Sequence, residues 1–194
     1  SLFATAAFGN PDNLRTVTAY MGGTDASTQE RPTSILFSDG RLDTYEYLKG
    51  TYATNGTPGG GTFTSNTVGT CVQVTLTHGT TNSPEGITNK TTREVTVENV
   101  IGQTLLQQTY VYTGSGYELI AWTDYKFDAN GHITDTYRSD GSHVEAVWGC
   151  CGKDYEKDGN GQEHNYDYDA LNRLTASEKL GTTNICVEYT YDAD

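Results

Sequence analysis

From residue 35 onward, apolar and polar side chains alternate in short runs broken by Gly, Asn and Asp. Alternation with period two turns successive side chains to opposite faces of a strand, so each run predicts one half-buried strand. Residues 35–37, 44–48, 71–77 (CVQVTLT), 94–100 and 105–112 (LLQQTYVY) fit this template. Residues 110–122 predict a hairpin turning at Gly114-Ser115-Gly116. Upstream, residues 14–20 (LRTVTAY) predict one more strand, between turn signals at Asn10-Pro11 and Gly22-Gly23. Residues 55–61 (NGTPGGG) read as a long hairpin loop or a seam between two halves. Residues 169–180 (DALNRLTASEKL) fit two templates. Apolar positions 171, 174 and 180 behind Asp169 suit a capped helix, whereas the repeat described next predicts a turn followed by a strand.

The strands repeat. Aromatic residues recur at Phe127, Trp148, Tyr168 and Tyr191, at spacings of 21, 20 and 23 residues, and Asp128, Asp169 and Asp192 directly follow three of them. A glycine stands seven residues before an aromatic three times: Gly40 before Tyr47, Gly141 before Trp148 and Gly161 before Tyr168. After the aromatic-Asp step comes a second turn, with Gly131 or Asn172 at the same offset. Each unit therefore reads strand, turn, strand, turn. Gly and Asn supply the positive φ of tight hairpin turns, and Asp bonds the backbone of the turn it opens. The ring and the residue two before it (Tyr125, Tyr166, Tyr189) share a face, from which ring stacking on the next hairpin is expected. One such hairpin is not stable alone, so neighbouring units must stack.

These residues resemble the YD-repeat family, also called rearrangement-hotspot (Rhs) repeats and related to the repeats of teneurins. The family pattern is close to Y-x-Y-D-x-x-G-R-L followed by a D-G turn. Residues 166–174 (YDYDALNRL) match it with Asn172 in place of Gly, residues 125–133 (YKFDANGHI) with Phe and His substitutions, and residues 189–192 (YTYD) begin a further unit. The resemblance implies an all-β fold of successive antiparallel hairpins in a sheet ribbon or spiral, with a β-rich N-terminal part. On this reading residues 1–33 form an N-terminal segment, residues 34–123 a β-rich region of degenerate repeats, and residues 124–194 the YD repeats, the last incomplete. It also implies a secreted or cell-surface setting, as shell wall or adhesive segment, and the incomplete last repeat suggests a self-assembling fibre subunit as a further reading. Nothing in the chain matches the toxin domain or self-cleavage region that some members carry.

Composition narrows the partners. The chain has 194 residues with 25 acidic against 12 basic side chains, a formal charge of −13, together with 32 Thr, 22 Gly and 14 Tyr. Thr and Tyr favour pleated strands. The charge makes nucleic acid and anionic membranes poor partners, since phosphate recognition needs a basic surface. No apolar run approaches the roughly 20 residues of a membrane-spanning helix. The start SLFATAAF lacks a signal peptide's basic region, and the stop within a repeat reads as a segment of a longer polypeptide.

Few residues carry chemistry. Cys71, Cys150, Cys151 and Cys186 allow three pairings, of which two long bridges from Cys71 and Cys186 to the 150–151 pair are favoured over a strained ring between neighbours. Free thiols and a metal site beside His143 or His164 are the other readings. Residues 154–163 (DYEKDGNGQE) offer Asp154, Asp158 and Asn160 as weak calcium candidates, but the loop lacks a bidentate Glu at its twelfth position and matches the repeat turn. Acid pairs for hydrolysis among Glu118, Asp124, Asp135 and Glu145 are expected by chance in so acidic a chain, and the four histidines fall in turn-rich sequence. No nucleophile-elbow, zincin or P-loop motif occurs, and no catalytic residue or cofactor is assigned. Asn55 and Asn89 begin glycosylation-type sequons in expected loops. The leading expectation is a non-catalytic extracellular scaffold whose partners are copies of itself or flanking repeats. The alternative is a carbohydrate-binding or adhesion module that uses exposed aromatics such as Trp122 and Trp148 to hold glycans.

Overall fold

The computed structural model describes residues 16–20, 22, 30–54, 61–81 and 86–192. Its strands are β1 (Val17–Tyr20), β2 (Pro32–Leu36), β3 (Arg41–Ala53), β4 (Thr62–Ser65), β5 (Cys71–Thr80), β6 (Asn89–Asn99) and β7 (Thr104–Tyr112). They continue as β8 (Tyr117–Phe127), β9 (Ile133–Arg138), β10 (His143–Trp148), β11 (Lys153–Lys157), β12 (Glu163–Tyr168), β13 (Leu174–Leu180) and β14 (Ile185–Glu188). The fold is all-β, as expected. Among the described residues every strand pairing is antiparallel, and one sheet runs from β1 to β14 in chain order, with β4 branching off β3. β8 runs through position 124, so the sheet is continuous across the boundary expected between residues 123 and 124. Residues 169–180 follow the repeat and not the helix: a turn at 169–173 leads into β13.

Consecutive antiparallel strands place their connections alternately on two rims. One rim carries the connections at 99–103, 128–132, 149–152 and 169–173; the other carries those at 37–41, 113–116, 138–142, 158–162 and 181–184.

A single sheet has no partner layer for its apolar face, and β3 supplies a partial one. Arg41 to Gly50 pair with β5, but Gly50 to Ala53 pair with β4, so β3 changes partner at Gly50. A side chain at Gly50 would run into Phe63 and the Thr64 carbonyl, which is why glycine stands at this corner. Beyond it, Tyr52 and Phe63 pack against the buried cluster of Cys71, Val97 and Leu106, contributed by β5, β6 and β7. Thr54 Oγ1 then reaches β8 and donates to Asp124 Oδ2 at 2.7 Å. Asp124 is fully buried. Its charge and, foremost, burial push the Tyr52 hydroxyl well above the ordinary tyrosine range. Past residue 133, Ala146 is the one buried hydrophobic among the described residues, so β9–β14 depend on polar devices more than on a core.

Candidate functional site: a ladder of turns and aromatic clasps

Among the described residues six connections share one five-residue geometry. Residues 37–41, 99–103, 128–132, 138–142, 158–162 and 169–173 each close with a bond from the first N–H to the fifth carbonyl and from the fourth N–H to the first carbonyl. The fourth residue is left-handed in all six, as at Gly161 (φ 80°) and Asn172 (φ 62°). This is a three-residue hairpin loop with a bulge, for which glycine or asparagine is the economical choice. Asn99, Asp128, Asp158 and Asp169 open four of these turns, and each Oδ1 accepts two backbone N–H bonds from within its turn. In the other two, Asp39 and Asp140 sit at the third position and accept one N–H, from Arg41 and Ser142.

These bonds favour the charged carboxylates. Backbone N–H donation holds Asp39, Asp128, Asp158 and Asp169 below the ordinary carboxylate range, and at Asp140 the Ser142 hydroxyl contributes most. The calcium candidate Asp158 thus has one oxygen turned to its own backbone. Asp154 lies against Gly149 in the preceding connection. Among the described residues no three His, Cys, Asp or Glu side chains converge as a metal site would require.

The repeat aromatics form a second device. Trp148 Nε1 donates to Ile133 O at 2.8 Å, Tyr168 Oη to Lys153 O at 3.0 Å, Tyr191 Oη to Leu174 O at 2.8 Å and Tyr47 Oη to Pro32 O at 2.9 Å. Each acceptor is the first residue of the neighbouring, preceding strand, so the ring clasps its hairpin at the end away from its own turn. Phe127 ends β8 in the same position but has no polar atom to donate. The expected stacking of one repeat aromatic on the next is absent. Equivalent positions lie two strands apart, about 10 Å, beyond the ~4.5–7 Å of ring contact. The rings meet other partners instead. Trp148 stacks on His132 at 4.6 Å, while Arg31, Lys153 and Arg173 lie over Tyr47, Trp148 and Tyr191 at 5.4, 5.4 and 4.4 Å. Much of the scarce positive charge is therefore spent on ring faces.

Of the remaining repeat residues, Gly131 and Gly141 occupy left-handed turn positions, and Gly131 O accepts from Gln103 of the neighbouring turn at 3.1 Å. Tyr125 Oη donates to Gln107 at 3.3 Å. Tyr166 is half-buried, and burial raises its hydroxyl's pKa. Tyr189 N–H bonds Thr175 O, and Asp192 lies exposed beyond β14.

The expected long disulfides do not form: all four cysteines are free. Cys71 is buried in the core on β5, separated by the four strands β6–β9 from the β10–β11 connection that holds Cys150 and Cys151. Cys186 is exposed on β14, opposite Glu178. Asn89 begins strand β6 and donates to Thr80 Oγ1 where a loop was expected, and Asn55 lies outside the described residues.

Sequence reasoning missed the histidine–aspartate pairs. His78 bonds Asp43 at 2.7 Å, His132 bonds Asp128 at 3.0 Å and His143 bonds Asp135 at 2.9 Å. The first is a directly opposed cross-strand pair, legible only once register is known. Asp135 also accepts from Thr134 and Tyr137; burial alone would raise its pKa, but these bonds hold it low. The signal for the turn at 99–103 was present, because Asn99 and Gly102 repeat the spacing of Asp128 and Gly131.

Two adjoining hollows of about 480 and 400 Å³ share Gln103, Tyr125 and Phe127. They lie where Phe127 leaves its hairpin without a hydrogen-bonded clasp. Trp122 is buried, and Trp148 carries His132 and Lys153 against its ring, so neither offers a free face for stacking.

No family model and no curated protein matches the chain. Among solved structures it is similar to chains of TcdB2-TccC3-Cdc42 (17% identity, TM-score 0.30, covering 94% of this chain and 11% of that chain). It is also similar to the Photorhabdus luminescens Tc holotoxin pore (16% identity, TM-score 0.29, 94% and 11%). TcdB2-TccC3 without its hypervariable C-terminal region matches with 16% identity and TM-score 0.29, over 93% and 11%. The chain thus spans about a tenth of the length of these solved chains.

Proposed function

We propose that this chain is a non-catalytic structural segment of an extracellular YD-repeat scaffold, in which sheet edges are continued by strands of the same kind from flanking repeats or from further copies. The observation that carries this reading is the recurrence of one turn and one clasp from hairpin to hairpin. Such a device builds a sheet of any length from nearest-neighbour contacts. The β14 edge is the place to test it. Tyr189 N–H faces β13, so by alternation the N–H groups of Cys186 and Glu188 point outward, ready for strand addition. The assay is sedimentation and light scattering of the chain over a wide concentration range. Concentration-dependent association that Glu188→Pro abolishes supports assembly through this edge. A chain that stays monomeric at high concentration refutes assembly between copies.

The groove at Tyr125 and Phe127 supports a second reading, glycan binding. Gln103, Asn99 and Asp128 supply polar groups beside the rings. A glycan array with Tyr125→Ala as control tests it, and an array without any binding refutes it.

A further inference from the structure

Cys150 and Cys151 are the two-residue tip of the β10–β11 hairpin, closed by Gly149 N–H donating to Gly152 O at 2.9 Å. The other connections at 99–103, 128–132 and 169–173 on this rim open with Asn or Asp. Here Gly149 opens the turn and two thiols form its tip, with Sγ atoms 2.6 Å apart. Cys150 is exposed and Cys151 partly so, and Cys151 Sγ donates to Asn172 Oδ1 of the next turn at 2.9 Å. Glycine on both sides leaves the tip tightly held: a side chain at Gly149 would meet Asp154, and one at Gly152 would meet the Tyr168 ring. The geometry points to Cys150 and Cys151 as a thiol–disulfide exchange site, which reacts with a low-molecular-weight disulfide such as oxidised glutathione and closes to a ring between the two neighbours.

Roles follow from position. The Cys150 thiolate, the more exposed, attacks one glutathione sulfur; the glutathione S–S bond breaks, one glutathione leaves as thiolate, and Cys150 carries the other. Cys151 then loses its proton to solvent, attacks Cys150 Sγ and expels the second glutathione. The cysteine pair is oxidised by two electrons and the reagent reduced by two, with both cysteine protons ending on the two glutathione thiols. Cys151 suits the resolving step, because its hydrogen bond with Cys150, its partial burial and the charges of Asp154 and Asp169 keep its thiol protonated until the mixed disulfide forms. Adjacent Cα atoms lie only ~3.8 Å apart, short of the ~4.4–6.8 Å of ordinary disulfides. The ring is therefore readily reduced and works as a reversible modification.

The experiment uses the full chain carrying Cys186→Ser, which removes the other exposed thiol and leaves Cys71 shielded in the core. After treatment with oxidised glutathione and acid quench, peptide mass spectrometry should find the 150–151 peptide lighter by two hydrogens, without adduct, and restored by dithiothreitol. Adding Cys151→Ser should trap one glutathionyl group on Cys150, and Cys150→Ser should slow uptake by about tenfold or more. A stable adduct with both cysteines present, or cross-linked chains, overturns the proposal. So do two unreacted thiols under conditions that modify the Cys151→Ser chain.

Discussion

Replacing Tyr168 by Phe removes one hydroxyl and leaves the ring in place. That hydroxyl donates to the carbonyl of Lys153, the first residue of β11, at 3.0 Å in a part-buried setting. A net hydrogen bond contributes about 0.5–1.5 kcal/mol, so opening of the β11–β12 hairpin should become roughly 2- to 12-fold more frequent. Because each strand of β9–β14 touches mainly its two neighbours, the loss should stay local. The assay is native-state amide hydrogen exchange, read strand by strand at constant pH. Protection is expected to fall across β11 and β12 and to hold across β5, β6 and β7, which share the core. Phe127→Tyr provides the reverse experiment. It places a hydroxyl at the repeat aromatic that has no polar donor, near the start of β7, and should raise protection of β7 and β8 by a similar factor. Unchanged exchange in β11–β12 after Tyr168→Phe would show that the clasp contributes nothing. A uniform loss over all strands would refute the nearest-neighbour account of this sheet.

Leu106→Ala empties the centre of the apolar cluster of Cys71, Val97 and Leu106, where Leu106 is 2% exposed, and should cost about 2–5 kcal/mol by urea titration. Thr54→Val removes the hydroxyl that meets buried Asp124 and should cost about 1.5–3 kcal/mol in the same titration, since the acceptor is a carboxylate. Acid should destabilise the chain through the turn aspartates. Asp39, Asp128, Asp140, Asp158 and Asp169, together with Asp135, have folded-state pKa values lowered below the ordinary aspartate value. Their contribution is complete above the unfolded pKa of ~3.9 and is lost as pH falls through the lower folded values. Thermal melts should therefore be flat from neutrality to about pH 5 and fall below about pH 4, and Asp→Asn at positions 128, 158 and 169 should flatten that fall. Asn99 already performs the same task without a charge.

The sequence by itself determined what is local. A hairpin turn is decided within five residues, so the spacing of Asp128 to Gly131, or of Asp169 to Asn172, announced both the left-handed position and the carboxylate that bonds it. Alternation likewise announced the strands, and the repeat correctly overruled the helical pattern at 169–180. Tertiary structure decided what depends on register and on paths across the sheet. The partner of each repeat aromatic lies 15 or 17 residues upstream on the neighbouring strand, and no property of the ring distinguishes that carbonyl from the next ring. Thr54 meets Asp124 seventy positions away only because β3 changes partner at Gly50 and crosses the face of the sheet. The cysteines show the same limit. An even count suggested bridges, but sheet order buries Cys71 in the core, leaves Cys186 at an edge and holds Cys150 and Cys151 together at one tip. Turn and strand signals are carried by neighbours in the chain, whereas clasps, ion pairs and thiol contacts are carried by neighbours in space.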